Sequence, residues 1–247
     1  MEAFQHDRIT PYQTTEAPKK RQVSNMFDNI SHYYDFLNHF LSLGIDRSWR
    51  RKAIAHLAED KPQTLLDVAT GTGDLALEAE KQLHPRQIIG VDISNKMLEI
   101  GREKIAKKNL SSTIELYEGD SENLAFGDET FEAITVAFGV RNFENLEQGI
   151  SEMRRVLKTG SRLVVLEFSK PKSFPFKQGY NFYFRYVLPF IGRITSKDKR
   201  AYEYLYESVQ SFPDGQDFVK VLEKAGFKEI ICQPLTLGIC SIYVARK

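Results

Sequence analysis

The chain is poor in cysteine and tryptophan, with two of the former and one of the latter in 247 residues. Cys232 and Cys240 lack both CxxC spacing and a histidine cluster, so reduced structural thiols are expected and no metal. A dominant charge of one sign is missing too. Lys plus Arg number 34 and Asp plus Glu 33, a net charge of +1. Enzymes that work on nucleic acid carry a clear basic excess, so no nucleic-acid partner is expected. No apolar run is long enough to span a membrane, and the N-terminus has no signal-peptide core. The expected location is therefore cytoplasmic, with any membrane contact peripheral, at the inner face.

What is present is globular in kind, with 42% hydrophobic residues and a length that suits one sizeable α/β domain. Residues 1–22 are polar and without period, which predicts a mobile tail ahead of a single domain over 23–247. In 23–60, Met26, Ile30, Tyr33, Tyr34, Leu37, Phe40 and Leu41 recur at three- and four-residue steps, predicting helices that break at Gly44. Short apolar runs at 64–69, 87–93, 113–117, 133–138 and 162–168 then alternate with amphipathic stretches at 74–82, 94–107 and 146–157. Such alternation predicts a mostly parallel sheet covered on both faces. The end differs: a helix near 216–225 precedes "FKEIICQPL" and "GICSIYVARK", two strands so closely joined that they must be antiparallel. A parallel sheet ending in an antiparallel hairpin resembles the class I methyltransferase (Rossmann-like) fold.

The stretch "LLDVATGTGDLALEAEKQL" (65–83) reads as strand, glycine turn and helix start. Gly71, Gly73 and Ala76 fit G-x-G-x-x-[GA], which alone separates neither a dinucleotide nor S-adenosylmethionine (SAM). Three acids separate them. Asp67 lies within the first strand, where SAM sites carry an acid supporting the loop around the methionine amino group. Asp92 closes the second strand and can accept both ribose hydroxyls, a role that suits either ligand. Asp120, with Ser121 beside it, follows the third strand, placed to accept from an adenine amino group. Each acid alone could cap a helix; three at successive strand ends favour SAM, whose sulfonium an acidic rim attracts. Thr72 either donates to the ligand or stabilises the turn.

After the fourth strand "ITVAFGVRNFEN" lacks the Asn-Pro-Pro-aromatic clamp common in enzymes that methylate amino nitrogen. Arg141 stands there instead, as a stabiliser of a phenolate or hydroxide, or else as a surface partner of Glu144 or Glu147. A long insertion follows, about 171–213. Its stretch from Phe174 to Pro213 carries twelve Phe or Tyr residues, together with Arg185, Arg193, Lys197, Lys199 and Arg200. This composition suits a lid over a flat apolar acceptor, a purely structural cover, or a face resting on an anionic membrane.

From about Val23 to Lys247 the chain resembles the UbiE/MenG family of C-methyltransferases of ubiquinone and menaquinone biosynthesis. The motifs are "MFDNISHYYDFLNHFLSLGIDRSWR", "DVATGTGD", "GDSENLAFGDETFEAITVAFGVRN", "MRRVLKTG", "LEFSKP" and "YLYESVQSFP", in the family's order. "FGVRN", "LEFSKP" and "ESVQSFP" together are far more specific than the glycine turn. The resemblance implies SAM contacts at Thr72, Asp92, Asp120 and Ser121. It also implies an acceptor that is a lipid-tailed quinol, most simply demethylmenaquinol, with a ubiquinone-pathway benzoquinol as one alternative and, outside the resemblance, another apolar phenolic acceptor as a second. Deprotonating a ring hydroxyl enriches the neighbouring carbon for attack on the methyl group. Arg141 would stabilise the phenolate, and Asp74, His32, Tyr33 and Tyr34 are candidates to hold or deprotonate the hydroxyl. Two departures stand out. Ala137 replaces a serine that some members use, and Thr70 replaces a glycine, which matters only if that backbone needs a positive φ. The apolar N-terminal helices would cover either the active site or a second copy in a homodimer.

Overall fold

The structure, a computed structural model, describes residues 5–12, 17–42, 44–182 and 199–247. The apolar runs become the inner strands. β1 (Thr64–Val68) buries all but its first residue, as a strand must when helices cover both faces of its sheet. β2 (Gln87–Asp92) and β4 (Phe131–Ala137) flank it in parallel, β3 (Ile114–Glu118) lies beyond β2, and β5 (Leu157–Phe168) lies beyond β4. β5 begins earlier than the expected 162. Its first residue follows directly from the helix that precedes it and pairs with Phe131 across a register shift.

The sheet has seven strands in the order β3-β2-β1-β4-β5-β7-β6. The antiparallel hairpin is present, but its last strand, β7 (Cys240–Arg246), inserts between β5 and β6 (Lys228–Leu235) and runs antiparallel to both. Burial explains the arrangement. All of β7 except Arg246 is buried, whereas β6 buries only Leu235. The apolar strand takes the inner place and the polar one becomes the edge.

Two apolar layers sandwich the sheet. On one face α2 (Ile45–Ala55) brings Trp49, Ala53 and Ile54 against Leu75, Ala76 and Ala79 of α3 (Asp74–Leu83), with Leu98 and Ile105 of α4 (Asn95–Lys107). On the other, Ile150 and Met153 of α5 (Leu146–Val156) pack with Phe218 and Leu222 of a helix at Gln216–Lys224.

The N-terminus departs from the expected mobile tail. α1 (Lys19–Leu41) starts four residues before Val23, and residues 5–8 form a 3-10 turn. His6 is fully buried, its ring edge-on to Phe212 at 5.9 Å, and Lys19 Nζ donates to its carbonyl at 2.8 Å. Desolvation drops the His6 pKa to about 3, so the ring is neutral. Ile9 and Tyr12 join an apolar cluster with Val23 and Met26, contacts too widely spaced to register as a period. The break at Gly44 is where expected, with φ +74 ahead of α2.

The insertion contributes α6 (Phe176–Phe182) and α7 (Lys199–Ser211); the helix at Gln216–Lys224 is α8. Arg185, Arg193 and Lys197 lie outside the described residues, as does the Lys199 side chain. Arg200 ion-pairs with Glu203 at 2.7 Å and donates from Nε to the Pro11 carbonyl, tying α7 to the N-terminal segment. Among the described residues no helix is long and apolar enough to cross a membrane.

Candidate active site

The chain leaves β1 towards β2 and β3, then returns to lay β4 and β5 on the other side. The reversal between β1 and β4 opens a crevice at the carboxyl ends of the strands, the usual ligand position in open α/β sheets. A cleft lies there. Its floor is made of strand ends: Ala69 after β1, Asp92 and Ile93 after β2, residues 119–122 after β3, and Gly139, Asn142 and Phe143 after β4. Its roof is α1, through Lys20, Val23 and Phe27.

Asp92, Asp120 and Ser121 therefore meet in one cleft. Asp92 accepts the Gly71 amide at 2.8 Å and the Ser94 amide at 2.9 Å, which binds the glycine turn to the end of β2. Burial pushes its pKa up to about 6, with the amides pulling the other way. Asp120 takes the Glu122 amide at 2.9 Å on one oxygen and Lys20 Nζ at 2.5 Å on the other.

The other turn residues stand behind the cleft. Asp67 is buried, with its carboxylate accepting from Thr70 Oγ1 at 2.6 Å and Thr135 Oγ1 at 2.7 Å. Burial raises its pKa to about 6, and the two hydroxyls oppose the rise. Asp67 is thus a brace for the loop from beneath. Gly71 and Gly73 have φ +55 and +77, and the Gly73 amide donates to the Thr70 carbonyl. The positive φ ahead of them belongs to Ala69, at +52, not to Thr70. The threonine therefore sits in ordinary backbone and uses its hydroxyl on Asp67. Thr72 Oγ1 accepts from Lys104 Nζ at 3.1 Å, on the α4 side of the turn.

Arg141 pairs with neither Glu144 nor Glu147. Glu144 accepts the Lys19 amide, and Glu147 pairs with Lys224. Arg141 is buried, and its Nη1 donates to Glu167 Oε1 at 2.7 Å and to the Phe138 carbonyl at 2.5 Å. Glu167, fully buried on β5, also accepts the Phe168 amide at 2.8 Å, and the guanidinium lies 5.4 Å from the Phe168 ring centroid. Burial pushes the Glu167 carboxyl up, against the pull of the guanidinium. Arg141 is flanked by Gly139 and Asn142 of the cleft wall. Phe138, at φ +58, holds the backbone in the turn that places it there.

Asp74 is drawn away from this region. It pairs with Lys104, and Arg50 lies 3.7 Å from its other oxygen, in a groove between α2, α3 and α4. The side chains of His32, Tyr33 and Tyr34 lie outside the described residues.

Of the two covers expected for the N-terminal helices, α1 takes the cleft; sequence reasoning missed Glu167 and the polar latch that holds α1 there. Glu167 carried a signal, an acid in the buried run "RLVVLEF". The latch carried none. Ser24 Oγ donates to the Ile93 carbonyl at 2.9 Å, and Asp28 accepts Ser94 Oγ at 2.6 Å. Lys20 bridges Asp120 and Glu122.

Strand order, terminal hairpin and cleft position together define the class I SAM-dependent methyltransferase fold. The same fold appears in a SAM-dependent methyltransferase from Thermotoga maritima, with a TM-score of 0.63 and 18% identity, covering 91% of this chain and 99% of that one. It also appears in the [4+2]-cyclase SpnF, with a TM-score of 0.66 and 18% identity over 94% and 97% of the two chains. Residues 14–247 match the ubiE/COQ5 methyltransferase family, and the chain belongs to it. Demethylmenaquinone methyltransferase of Bacteroides fragilis is 50% identical over 244 residues, 99% of each chain. The ubiquinone/menaquinone biosynthesis C-methyltransferase UbiE of Geobacter sulfurreducens is 44% identical over 97% of this chain and 93% of its own.

Proposed function

We propose that this protein transfers a methyl group from SAM to a ring carbon of demethylmenaquinol. The observation that carries the reading is the end-to-end 50% identity with the B. fragilis enzyme. The cleft suits the donor. Asp92 and Asp120 offer carboxylates to hydroxyl and amino donors and attract a cation, while Val23, Phe27, Ile93 and Phe143 present apolar walls to a flat ring. When bound, SAM supplies a methyl carbon on positive sulfur, which an electron-rich ring carbon takes as the C–S bonding pair returns to sulfur.

The chain's own part is to make that ring carbon electron-rich and to keep water out. Arg141, fixed by Glu167 and the Phe138 carbonyl, holds positive charge beside the cleft wall, where a developing phenolate is stabilised. A guanidinium cannot serve as a base, so the phenolic proton leaves to another acceptor. The ring-carbon proton is lost after transfer, restoring the aromatic ring. The oxidised quinone has no phenolic proton to lose and is electrophilic.

Transfer of labelled methyl from SAM to demethylmenaquinol in detergent, with and without a chemical reductant, tests this reading. Product only under reduction is the expected result. Tight SAM binding with no transfer under reduction would refute the acceptor. The name of the Geobacter relative favours a second acceptor, a ubiquinone-pathway benzoquinol, to be run in the same assay.

A further inference from the structure

Tyr204 on α7 is 1% exposed, yet its hydroxyl has no hydrogen-bond partner among the described residues. A buried hydroxyl left unmatched is costly, and in a native structure such a group calls for a reason, a functional role being one. Its surroundings indicate which role. The helix that carries Tyr204, α7, packs against the Val140–Asn142 turn that carries Arg141, and the charges of Arg141 and Glu167 both reach the hydroxyl. Tyr180 of α6, 6% exposed, is under the influence of Arg141 as well. Tyr180 and Tyr204 share an apolar cluster with Val23, and Phe27 packs against it. Val23 and Phe27 also wall the cleft. The insertion's α7 thus brings a buried, unmatched tyrosine hydroxyl against the turn that carries Arg141, beside residues that wall the proposed methyl-donor site.

We infer that Tyr204 is an acceptor-binding residue whose hydroxyl donates a hydrogen bond to the ring oxygen of the phenolic acceptor; this rests on the function proposed above. Desolvation pushes the Tyr204 pKa well above the ordinary tyrosine value, so the group stays protonated and acts as a donor, never as the base. A donor aimed at a phenolate favours the ionised ring and lowers the pH at which it forms. Arg141 and Tyr204 then clasp the same oxygen, one from the turn after β4 and the other from α7, and α7 becomes part of the acceptor site.

The test is Tyr204→Phe, which removes the hydroxyl and keeps the ring. Methyl transfer to reduced demethylmenaquinol should fall roughly 10²-fold, the scale of losing one donor to a developing oxyanion. The rise of turnover with pH should move to higher pH. SAM affinity should match the wild type, and the melting temperature should hold or rise, because no internal hydrogen bond is lost. Unchanged turnover and pH profile in the variant, with an active wild type, would overturn the inference and leave the proposed function standing. Loss of turnover together with a lower melting temperature and weaker SAM binding would also overturn it, assigning Tyr204 a structural role. An inactive wild type under reduction would remove both.

Discussion

Replacing Glu167 by Gln should be among the most damaging single changes in the sheet. The substitution keeps the shape of the side chain but turns one of its two accepting oxygens into an amide donor and removes the charge that Arg141 faces at 2.7 Å in a fully buried position. Arginine does not deprotonate in proteins, so the buried guanidinium keeps its charge and loses its carboxylate on β5. Breaking a buried pair in this way costs about 3–5 kcal/mol. For a domain of this size each kcal/mol moves the melting temperature by about 2–4 °C, so a fall of roughly 6–20 °C is expected. The reciprocal change, Arg141→Met, should behave differently. The stranded carboxyl can take up a proton, and its folded pKa, already raised by burial, rises further without the guanidinium. In that variant the folded state binds more protons than the unfolded state between the unfolded and the raised folded pKa. Stability therefore falls as pH rises through that window and levels off above it. The assay is thermal or denaturant unfolding of both variants and of the apolar double variant Arg141→Met with Glu167→Leu, from about pH 5.5 to about pH 8.5. Glu167→Gln should lose stability with no pH dependence of its own at this site, Arg141→Met should lose most at high pH, and the double variant should recover much of the loss. A loss below about 1 kcal/mol for Glu167→Gln, the size of an exposed pair, would refute the reasoning.

The proposed role of Asp92 implies a pH limit on SAM binding. Its pKa in the free protein stands at about 6, and the proposed hydrogen bonds to the ribose hydroxyls need the carboxylate. SAM affinity measured by calorimetry should be flat above neutrality and weaken below about pH 6, approaching tenfold per unit. A flat profile down to about pH 5 would show that this carboxylate is not titrating in the free protein. Thr70→Val keeps the shape but takes one of the two hydroxyl donors from the buried Asp67 carboxylate. A loss of about 1–3 kcal/mol in unfolding free energy is expected, with weaker SAM binding as the loop loses its brace. Wild-type stability and affinity in that variant would mean that Thr135 alone supports Asp67.

Much of the fold was legible because it rests on local regularities. The runs at 64–69 and 87–93 read as strands because helices cover both faces of the sheet, leaving β1 and β2 almost continuously apolar. Asp92, Asp120 and Ser121 could be placed together from their spacing alone, because each follows a strand of one parallel set, and such strands all end on the same side. The glycine turn was readable for the same reason, since Gly71 and Gly73 take positive φ where a Cβ would be strained.

The sequence by itself thus determined the alternation of elements, the cofactor edge of the sheet and the family. Only the tertiary structure decided which of the last two strands lies inside, because that depends on the burial of β7 against β5, some 80 residues away in the chain. It also decided that Ala69 carries the strained φ, that Asp67 braces the loop from below, and that α1 roofs the cleft through Lys20 and Phe27. Arg141 shows the division most sharply. Its position after β4 marked it from the sequence, but its partner is on a different strand, 26 residues on. Periodicity reports what a segment does within a few residues of itself. Which distant groups share a dry interior, and so which charge must meet which, is settled only when the layers close.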